Sequence, residues 1–185
     1  MGWNRHEDLI KPAYFEGKQP VFNMAKGPLP GEMHLSDGQE PCAVGVCAHL
    51  RPADAVTATH RPHHIAIAKG VNLKDMASEI FGRANGLSGG RGGHMHLFDP
   101  RVNFCCSGII AQGMGPAVGA AIAAPTAVEG NAERAAAYGM PGHFVPDNDP
   151  DEVFKVAGDA IERARGGGGP SLIEIETIRL EGHFM

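Results

Sequence analysis

The fold of this chain is best predicted from residues 56–70, Val56-Thr57-Ala58-Thr59-His60-Arg61-Pro62-His63-His64-Ile65-Ala66-Ile67-Ala68-Lys69-Gly70. A short β-branched run opens this stretch, and three histidines and one arginine follow within five residues. The run predicts a strand over 56–60, because β-branched residues favour strands. Imidazoles exchange protons near neutral pH, and a guanidinium binds phosphate well. The stretch therefore predicts a site for a phosphate-bearing ligand at the end of a strand.

A second block, Gly89-Gly90-Arg91-Gly92-Gly93-His94-Met95-His96, combines glycines with two more histidines. The chain has 26 glycines among 185 residues, which is about twice the usual share. They cluster over 82–93 and 108–119. Because glycine lets a backbone approach a ligand closely, we expect these loops to border the ligand.

Helices are predicted on both sides of the first strand. Apolar residues recur at helical spacing over 39–50 and again over 73–81, where Gly82 ends the pattern. Residues 113–124 are almost all small, with Gly115 and Gly119 four residues apart. This last pattern predicts a helix that packs very closely on a neighbour.

The C-terminal part continues the alternation of helices and strands. A capping box at 126–129 opens a helix that ends at Gly139, and residues 149–152 open another that stops at 166–169. Residues 171–180 alternate apolar and acidic side chains, as a strand does. Strands that alternate with helices predict an α/β fold, with a parallel sheet flanked by helices.

A part of this domain is predicted to be missing. We expect an N-terminal helical arm and irregular segment over 1–38, followed by one α/β domain over 39–185. Only about three strands are predicted there, too few for a sheet with helices on both faces. Only Pro125 separates Ala124 from the capping box, so one helix would run into the next without a loop. We therefore expect a missing segment between 124 and 125.

The composition limits the class of protein. A net charge of −5 disfavours a nucleic-acid partner. No apolar run approaches the roughly 20 residues that cross a bilayer, and the N-terminus has no signal-peptide pattern. Cys42, Cys47, Cys105 and Cys106 show no C-x-x-C spacing, and the first two fall in an apolar helical pattern, which predicts buried free thiols. We expect a cytoplasmic protein with neither a nucleic-acid nor a membrane partner.

Several blocks of sequence occur in an order that is specific to one family. They span residues 31–46, 51–54, 59–63, 81–96 and 178–183; the first begins Gly31-Glu32-Met33-His34-Leu35-Ser36-Asp37-Gly38-Gln39-Glu40. With these blocks the chain resembles the alpha subunits of thiamine-diphosphate-dependent 2-oxo acid dehydrogenases, in the pyruvate and acetoin dehydrogenase branch. The resemblance covers nearly the whole chain and implies the thiamine-diphosphate-binding α/β fold.

The resemblance implies four cofactor-binding residues. His60 and Arg61 match the pair that binds the diphosphate, for which an imidazole N–H and a guanidinium fork are suited. Gly108 and Ile110 match the backbone that contacts the aminopyrimidine ring. Thiamine diphosphate is therefore the expected cofactor.

The resemblance also implies two catalytic residues and the partners of the chain. His63 matches a loop histidine beside the cofactor, and His183 matches a histidine on the C-terminal loop that orders over it. A beta subunit would supply the glutamate that activates the aminopyrimidine, within an alpha2-beta2 oligomer. A lipoyl-bearing acyltransferase would receive the acyl or aldehyde fragment of a 2-oxo acid or of acetoin.

The sequence departs from the family at the metal site. Family members bind Mg²⁺, a hard cation that prefers oxygen ligands, through a G-D-G motif and a later Asn-Asn pair, and neither motif occurs here. No metal ligand is therefore assigned, and the family's region after His183 is also absent. Either the gene product is truncated, or the sequence holds only the ordered part of a longer chain. His94 in place of a small residue, and Cys105-Cys106-Ser107 in place of Gly-Gly-Asn, leave the substrate open.

Two other functions compete with this interpretation. A truncated homologue could keep the subunit interface without catalysis. Alternatively, His94 and His96 could bind zinc together with His60 or His63, because three imidazoles make a feasible site. Other histidines are expected to be packing, loop or surface residues, namely His34, His49, His64 and His143.

Overall fold

The computed structural model describes residues 4–18, 26–29, 31–123 and 140–178. These ranges hold six α-helices: α1 (Asn4–Phe15), α2 (Glu40–Cys47), α3 (His63–Lys69), α4 (Leu73–Ile80), α5 (Met114–Ala123) and α6 (Pro150–Arg165). The same ranges hold five short strands: β1 (Val56–Ala58), β2 (Phe98–Asp99), β3 (Phe104–Cys106), β4 (Gly142–Val145) and β5 (Leu172–Ile175). None of these helices combines the length and the apolar character that a membrane crossing requires.

The first sheet has the strand order β1-β3-β2. Strands β1 and β3 are parallel, with Val56 opposite Phe104 and Ala58 opposite Cys106. Strand β2 pairs with β3 in the antiparallel direction. Two parallel neighbours place their carboxyl ends at the same edge of the sheet, and the candidate site lies there.

The second sheet consists of β4 and β5, which are parallel and are connected through α6. Asp149 begins α6 as its N-cap, because its Oδ1 accepts the backbone N–H groups of Asp151 at 2.8 Å and Glu152 at 3.1 Å. Helix α6 packs closely against α2. A Cβ atom added to Gly45 would lie 2.5 Å from Cγ1 of the fully buried Val153.

One apolar core joins the N-terminal arm to the first sheet. Tyr14 on α1 is fully buried and packs in the same cluster as Met76 on α4 and Phe104 on β3. Leu35, from the irregular segment that precedes α2, belongs to this cluster as well. The segment before α2 is therefore held against the first sheet, and it contributes His34 to the candidate site.

The predicted α/β class is confirmed. The described residues do not, however, form the single parallel sheet that was predicted. They form two small sheets, and β2 is antiparallel. Strands β2 and β3 are two and three residues long, which is too short for a period-two pattern to be recognised. Helices α2, α4 and α6 occur where they were predicted, whereas in the described part of the strand predicted over 171–180 only Leu172–Ile175 form a strand.

Among the described residues, the small-residue helix α5 has no close neighbour at Gly115 or Gly119, so the predicted close packing stays a prediction. Cβ atoms added to Gly115 or Gly119 would meet no described atom within 4 Å. Met114 and Val118 on the same helix are 62% and 55% exposed. Helix α5 contacts β1, and Gly113, the residue before the helix, lies close to Thr57 of that strand. The helix predicted over 126–139, and the junction between 124 and 125, lie outside the described residues.

Candidate active site

The two segments predicted to bind the cofactor follow the carboxyl ends of two adjacent parallel strands. Residues 59–61 follow β1, and residues 107–110 follow β3. The N–H of Ser107 donates to the carbonyl of Ala58 at 3.1 Å, so the two segments leave the sheet together. Ligands of open α/β sheets bind at this edge, where loops meet beyond the strands.

A group of four histidines, three of them buried and one half-buried, lies beside these strand ends. It consists of His34, His60, His63 and His94, and we call it the histidine cluster. The ring centroids are 4.9 Å apart for His34 and His60, and 5.6 Å apart for His34 and His94. The centroid of His63 lies 5.4 Å from that of His94. Side chains that are distant in the sequence therefore meet within one small volume.

His94 is held in its neutral form. It is 6% exposed, and its Nε2 accepts the backbone N–H of His34 at 3.3 Å. The ring proton therefore resides on Nδ1, which is buried. Burial lowers the pKa of His94 from 6.5 to about 2, and the neighbouring rings of His63 and His34 add to the effect.

Arg61 supplies the positive charge of the site. It is 7% exposed, and its guanidinium donates to the backbone carbonyl of Leu35. Its neighbour His63 begins α3 and is 1% exposed. A permanent cation and imidazole N–H groups at one strand end form a donor set that fits a diphosphate. His60, Arg61 and His63 thus lie together directly after β1, and their binding of the cofactor stays a prediction.

The remaining predicted site residues are less closely placed. Gly108 packs against the loop that bears the histidines, because an added Cβ would lie 3.1 Å from Sδ of Met95 and 3.3 Å from Nε2 of His96. Ile110 is 66% exposed on the loop between β3 and α5. His183 lies outside the described residues, so its predicted role stays a prediction.

Two members of the cluster were not expected there. His34 was predicted to be a packing or surface residue, although its Gly-Gln-Glu neighbourhood was part of the recognised sequence. His94 was noted only as a departure and as a possible zinc ligand. The signal missed in both cases is three-dimensional, because 60 residues separate the backbone of His34 from the ring that it contacts.

The expectations for the other histidines and the cysteines are largely met. His64 is buried in α3, and His49 stacks on Phe154 with centroids 4.2 Å apart. All four cysteines are free thiols; Cys42 and Cys47 are half-buried rather than fully buried. Burial also raises the pKa of Cys106 to about 12, so this thiol is not a nucleophile.

The described residues do not support a metal centre. Among them, no group of three or more His, Cys, Asp or Glu side chains is arranged to hold a metal ion. His96 is exposed whereas His94 is buried, so the pair does not converge on one point. The donor set in the described ranges thus fits the diphosphate of a cofactor and does not fit Mg²⁺ or zinc.

Sequence comparison decides the family. The profile of the family described as Dehydrogenase E1 component matches residues 22–131 and 117–185. The chain belongs to this family. Membership confirms the resemblance inferred from the sequence motifs, and it implies the use of thiamine diphosphate.

Relatives of this E1-family chain are alpha subunits of two kinds of enzyme. The alpha subunit of acetoin:2,6-dichlorophenolindophenol oxidoreductase from Bacillus subtilis is 38% identical, over 97% of this chain and 70% of that protein. The same subunit from Cupriavidus necator is 32% identical, over 88% and 65%. The chloroplastic pyruvate dehydrogenase E1 component subunit alpha-3 of rice is 30% identical, over 97% and 55%. The prediction of an oxidoreductase alpha subunit is confirmed.

The chain is shorter than these relatives. It spans between 55% and 70% of their lengths. The alignment with the Bacillus subtilis protein covers 234 positions, whereas the chain has 185 residues, so that protein has residues without a counterpart here. The family profile likewise matches the chain in two separate segments, which overlap over residues 117–131.

Proposed function

We propose that this chain is the alpha subunit of a thiamine-diphosphate-dependent dehydrogenase that cleaves acetoin or a pyruvate-like 2-oxo acid and passes the fragment to a lipoyl acceptor. The observation that supports this most directly is the position of His60, Arg61 and His63 directly after β1, at the edge where the parallel neighbour β3 also ends. The sequence identity is 38% to an acetoin enzyme subunit and 30% to a pyruvate enzyme subunit, so acetoin is the first substrate to test.

The residues of this chain would bind and orient the cofactor. Arg61 and His60 would hold the diphosphate through charge-assisted hydrogen bonds. His63 would position the reacting end, and His183 would act when the C-terminal loop closes. The bound cofactor supplies the nucleophilic carbon and the electron sink for cleavage of a carbon–carbon bond next to a carbonyl.

We also propose that a segment is missing between 124 and 125 and that the Mg²⁺ ligands belong to it. The sequence has neither the G-D-G motif nor the Asn-Asn pair of the family, and the described residues hold no metal-binding group. A diphosphate has about three negative charges, and Arg61 with the nearby imidazoles would have to neutralise them without a metal. The chain of 185 residues alone should therefore bind thiamine diphosphate weakly. A beta subunit, in an alpha2-beta2 oligomer, would complete the site.

A turnover assay tests the proposal. The full-length alpha chain, purified together with its beta subunit, is given thiamine diphosphate, Mg²⁺ and the artificial acceptor 2,6-dichlorophenolindophenol, and bleaching of the dye is followed. Acetoin, pyruvate and a branched 2-oxo acid are compared in parallel, and omission of the cofactor is the control. Cofactor-dependent bleaching with one of these substrates supports the proposal, and its absence with all three contradicts it.

A non-catalytic homologue is the second candidate, and the absence of the metal motifs favours it. Calorimetric titration and intact mass distinguish the two. Micromolar, Mg²⁺-dependent cofactor binding by the chain of 19.5 kDa would show that it has a complete site. No binding, with a mass that equals the sequence, would favour the non-catalytic homologue.

A further inference from the structure

Glu79, near the end of α4, is an acidic residue with no exposed surface. Burying a carboxylate costs several kcal/mol unless hydrogen bonds compensate for the lost water. The sequence gives little sign of its importance, because Glu79 appears as one acidic residue within an amphipathic helix. Its hydrogen-bond partners identify its role.

The carboxylate of Glu79 is bound by the backbone of the glycine-rich loop. Its Oε2 accepts the N–H groups of Ser88 at 2.7 Å and Gly90 at 2.9 Å, and its Oε1 accepts that of Gly92 at 2.6 Å. Burial raises the pKa of Glu79, whereas these N–H groups and that of Gly93 lower it. The hydrogen bonds together outweigh the burial, so the pKa of Glu79 lies below its ordinary value. The group is ionised at neutral pH, and the loop satisfies its charge.

The glycines of the loop permit this close approach. A Cβ on Gly86 would lie 2.5 Å from Oε2 of Glu79, and one on Gly92 would lie 2.3 Å from the carbonyl oxygen of His96. Both distances are shorter than any side chain tolerates. The glycines over 82–93 were predicted to approach a ligand, but at these two positions the close neighbours are atoms of the chain itself.

The loop leads directly into the histidine cluster. His94 follows Gly93, whose backbone has φ of +59°. The ring of His94 is then fixed by the N–H of His34 at 3.3 Å, and it lies 5.4 Å from the ring of His63. A shift of residues 88–93 would move His94 away from both.

We propose that Glu79 is a positioning residue of the active site: its carboxylate fixes residues 88–93 and thereby seats His94 against His34 and His63. The predicted effect on turnover rests on the proposed function, whereas the effect on loop order does not. A purely structural role would lower the stability of the whole domain instead of loosening this loop selectively.

Hydrogen exchange tests the first step, in the complex with the beta subunit. In Glu79→Gln an NH2 group, which cannot accept a hydrogen bond, replaces one carboxylate oxygen. The backbone N–H groups of residues 88–93 should therefore exchange at least about tenfold faster, while those of α6 exchange as in wild type. Asp75→Asn is the matched control on the same helix, since Asp75 pairs with the exposed Arg101 at 2.7 Å. It should leave exchange in the loop within about twofold of wild type. Unchanged exchange in Glu79→Gln would overturn the proposal.

Glu79→Asp provides a second variant if Glu79→Gln does not fold. It retains the charge but retracts the carboxylate by one methylene, so the bonds to the loop cannot all form. The same selective loosening of 88–93 is expected. Protection equal to wild type would show that the loop is ordered by other contacts, and the proposal would fail.

A double-mutant cycle tests the second step. If Glu79 acts through His94, then Glu79→Gln should lower kcat/KM by about tenfold in the wild-type background and by less than about twofold in the His94→Ser background. If Glu79→Gln lowers kcat/KM by the same factor in both backgrounds, Glu79 does not act through His94. An inactive wild-type complex would refute the proposed function alone, because the exchange experiment still decides whether Glu79 orders the loop.

Discussion

Arg61 is the residue on which cofactor binding should depend most. In the complete enzyme, Arg61→Ala should weaken thiamine diphosphate binding by about 30- to 1,000-fold, because a charge-assisted contact to a buried diphosphate is lost. The melting temperature should also fall, since Arg61 donates to the carbonyl of Leu35. Calorimetry measures the affinity, and the exposed Arg51→Ala is the control that should bind as wild type does. Equal affinity for wild type and Arg61→Ala would mean that the motif is misassigned.

His183 should behave differently from Arg61. His183→Ala should lower turnover or acyl transfer while the cofactor affinity stays within about tenfold, because the loop closes after the cofactor has bound. Steady-state kinetics with calorimetry on the same preparation separates the two quantities. Loss of affinity as large as that of Arg61→Ala would place His183 in the diphosphate site instead.

The buried His94 should make the stability of the chain depend on pH. Its pKa is about 2 in the folded chain, against 6.5 ordinarily, so the unfolded state binds more protons between these values. Its contribution to stability is therefore fully present above pH 6.5 and is lost as the pH falls, by up to about 1.4 kcal/mol per pH unit.

Denaturant unfolding between about pH 7.5 and 5 measures this slope. His94→Gln should flatten it, because a glutamine oxygen can accept the N–H of His34 and does not titrate. His143→Gln, on β4 and outside the histidine cluster, retains His94 and should retain the wild-type slope. An unchanged slope in His94→Gln would show that His94 is not the group that titrates on unfolding.

Among the elements, α6 was the most predictable, and its first turn explains why. Asp149→Ala should lower the free energy of unfolding by about 0.5–2 kcal/mol, since two backbone N–H groups lose their acceptor. Asp147→Ala is the control, because Asp147 is exposed and precedes the helix. Urea unfolding measures both variants. Equal losses in the two would indicate a general effect of charge and not a lost cap.

Helix α5 should contact another chain when the whole molecule assembles. No described atom lies within 4 Å of a Cβ added to Gly115 or Gly119, and the adjacent Val118 is 55% exposed. In the isolated chain, Gly119→Ala should raise stability by about 0.5–1 kcal/mol, because Gly119 lies inside α5 and glycine disfavours a helix interior. Gly119→Leu should instead disrupt the oligomer, since a large side chain would hold the partner surface away.

Sedimentation measures the oligomer, and Lys155→Leu on the exposed side of α6 is the control for added apolar surface. Dissociation in Gly119→Leu but not in Lys155→Leu is expected, while the melting temperature of the isolated chain is not lowered. A folded monomer as the only wild-type species would contradict the expectation that this chain has a partner.

The elements that sequence predicted correctly are those whose signal is local. The cap at Asp149, and the apolar spacing of α4 and α6, involve residues within a few positions of each other. The family motifs are also local, so they identified His60, Arg61 and His63 together with the cofactor. Strands β2 and β3 gave no such signal, because a strand of two or three residues is defined by its partner and not by its own pattern.

Tertiary structure alone decided how the site is assembled. His34 and His94 belong to one cluster because the segment before α2 packs on the same core as the first sheet, and no spacing in the sequence encodes a contact across 60 residues. Likewise, Glu79 and the glycines at 90 and 92 look like a helix residue and a flexible loop until the loop is seen to close around the carboxylate. The residue types determine which chemistry is available, and long-range packing determines which side chains come into contact.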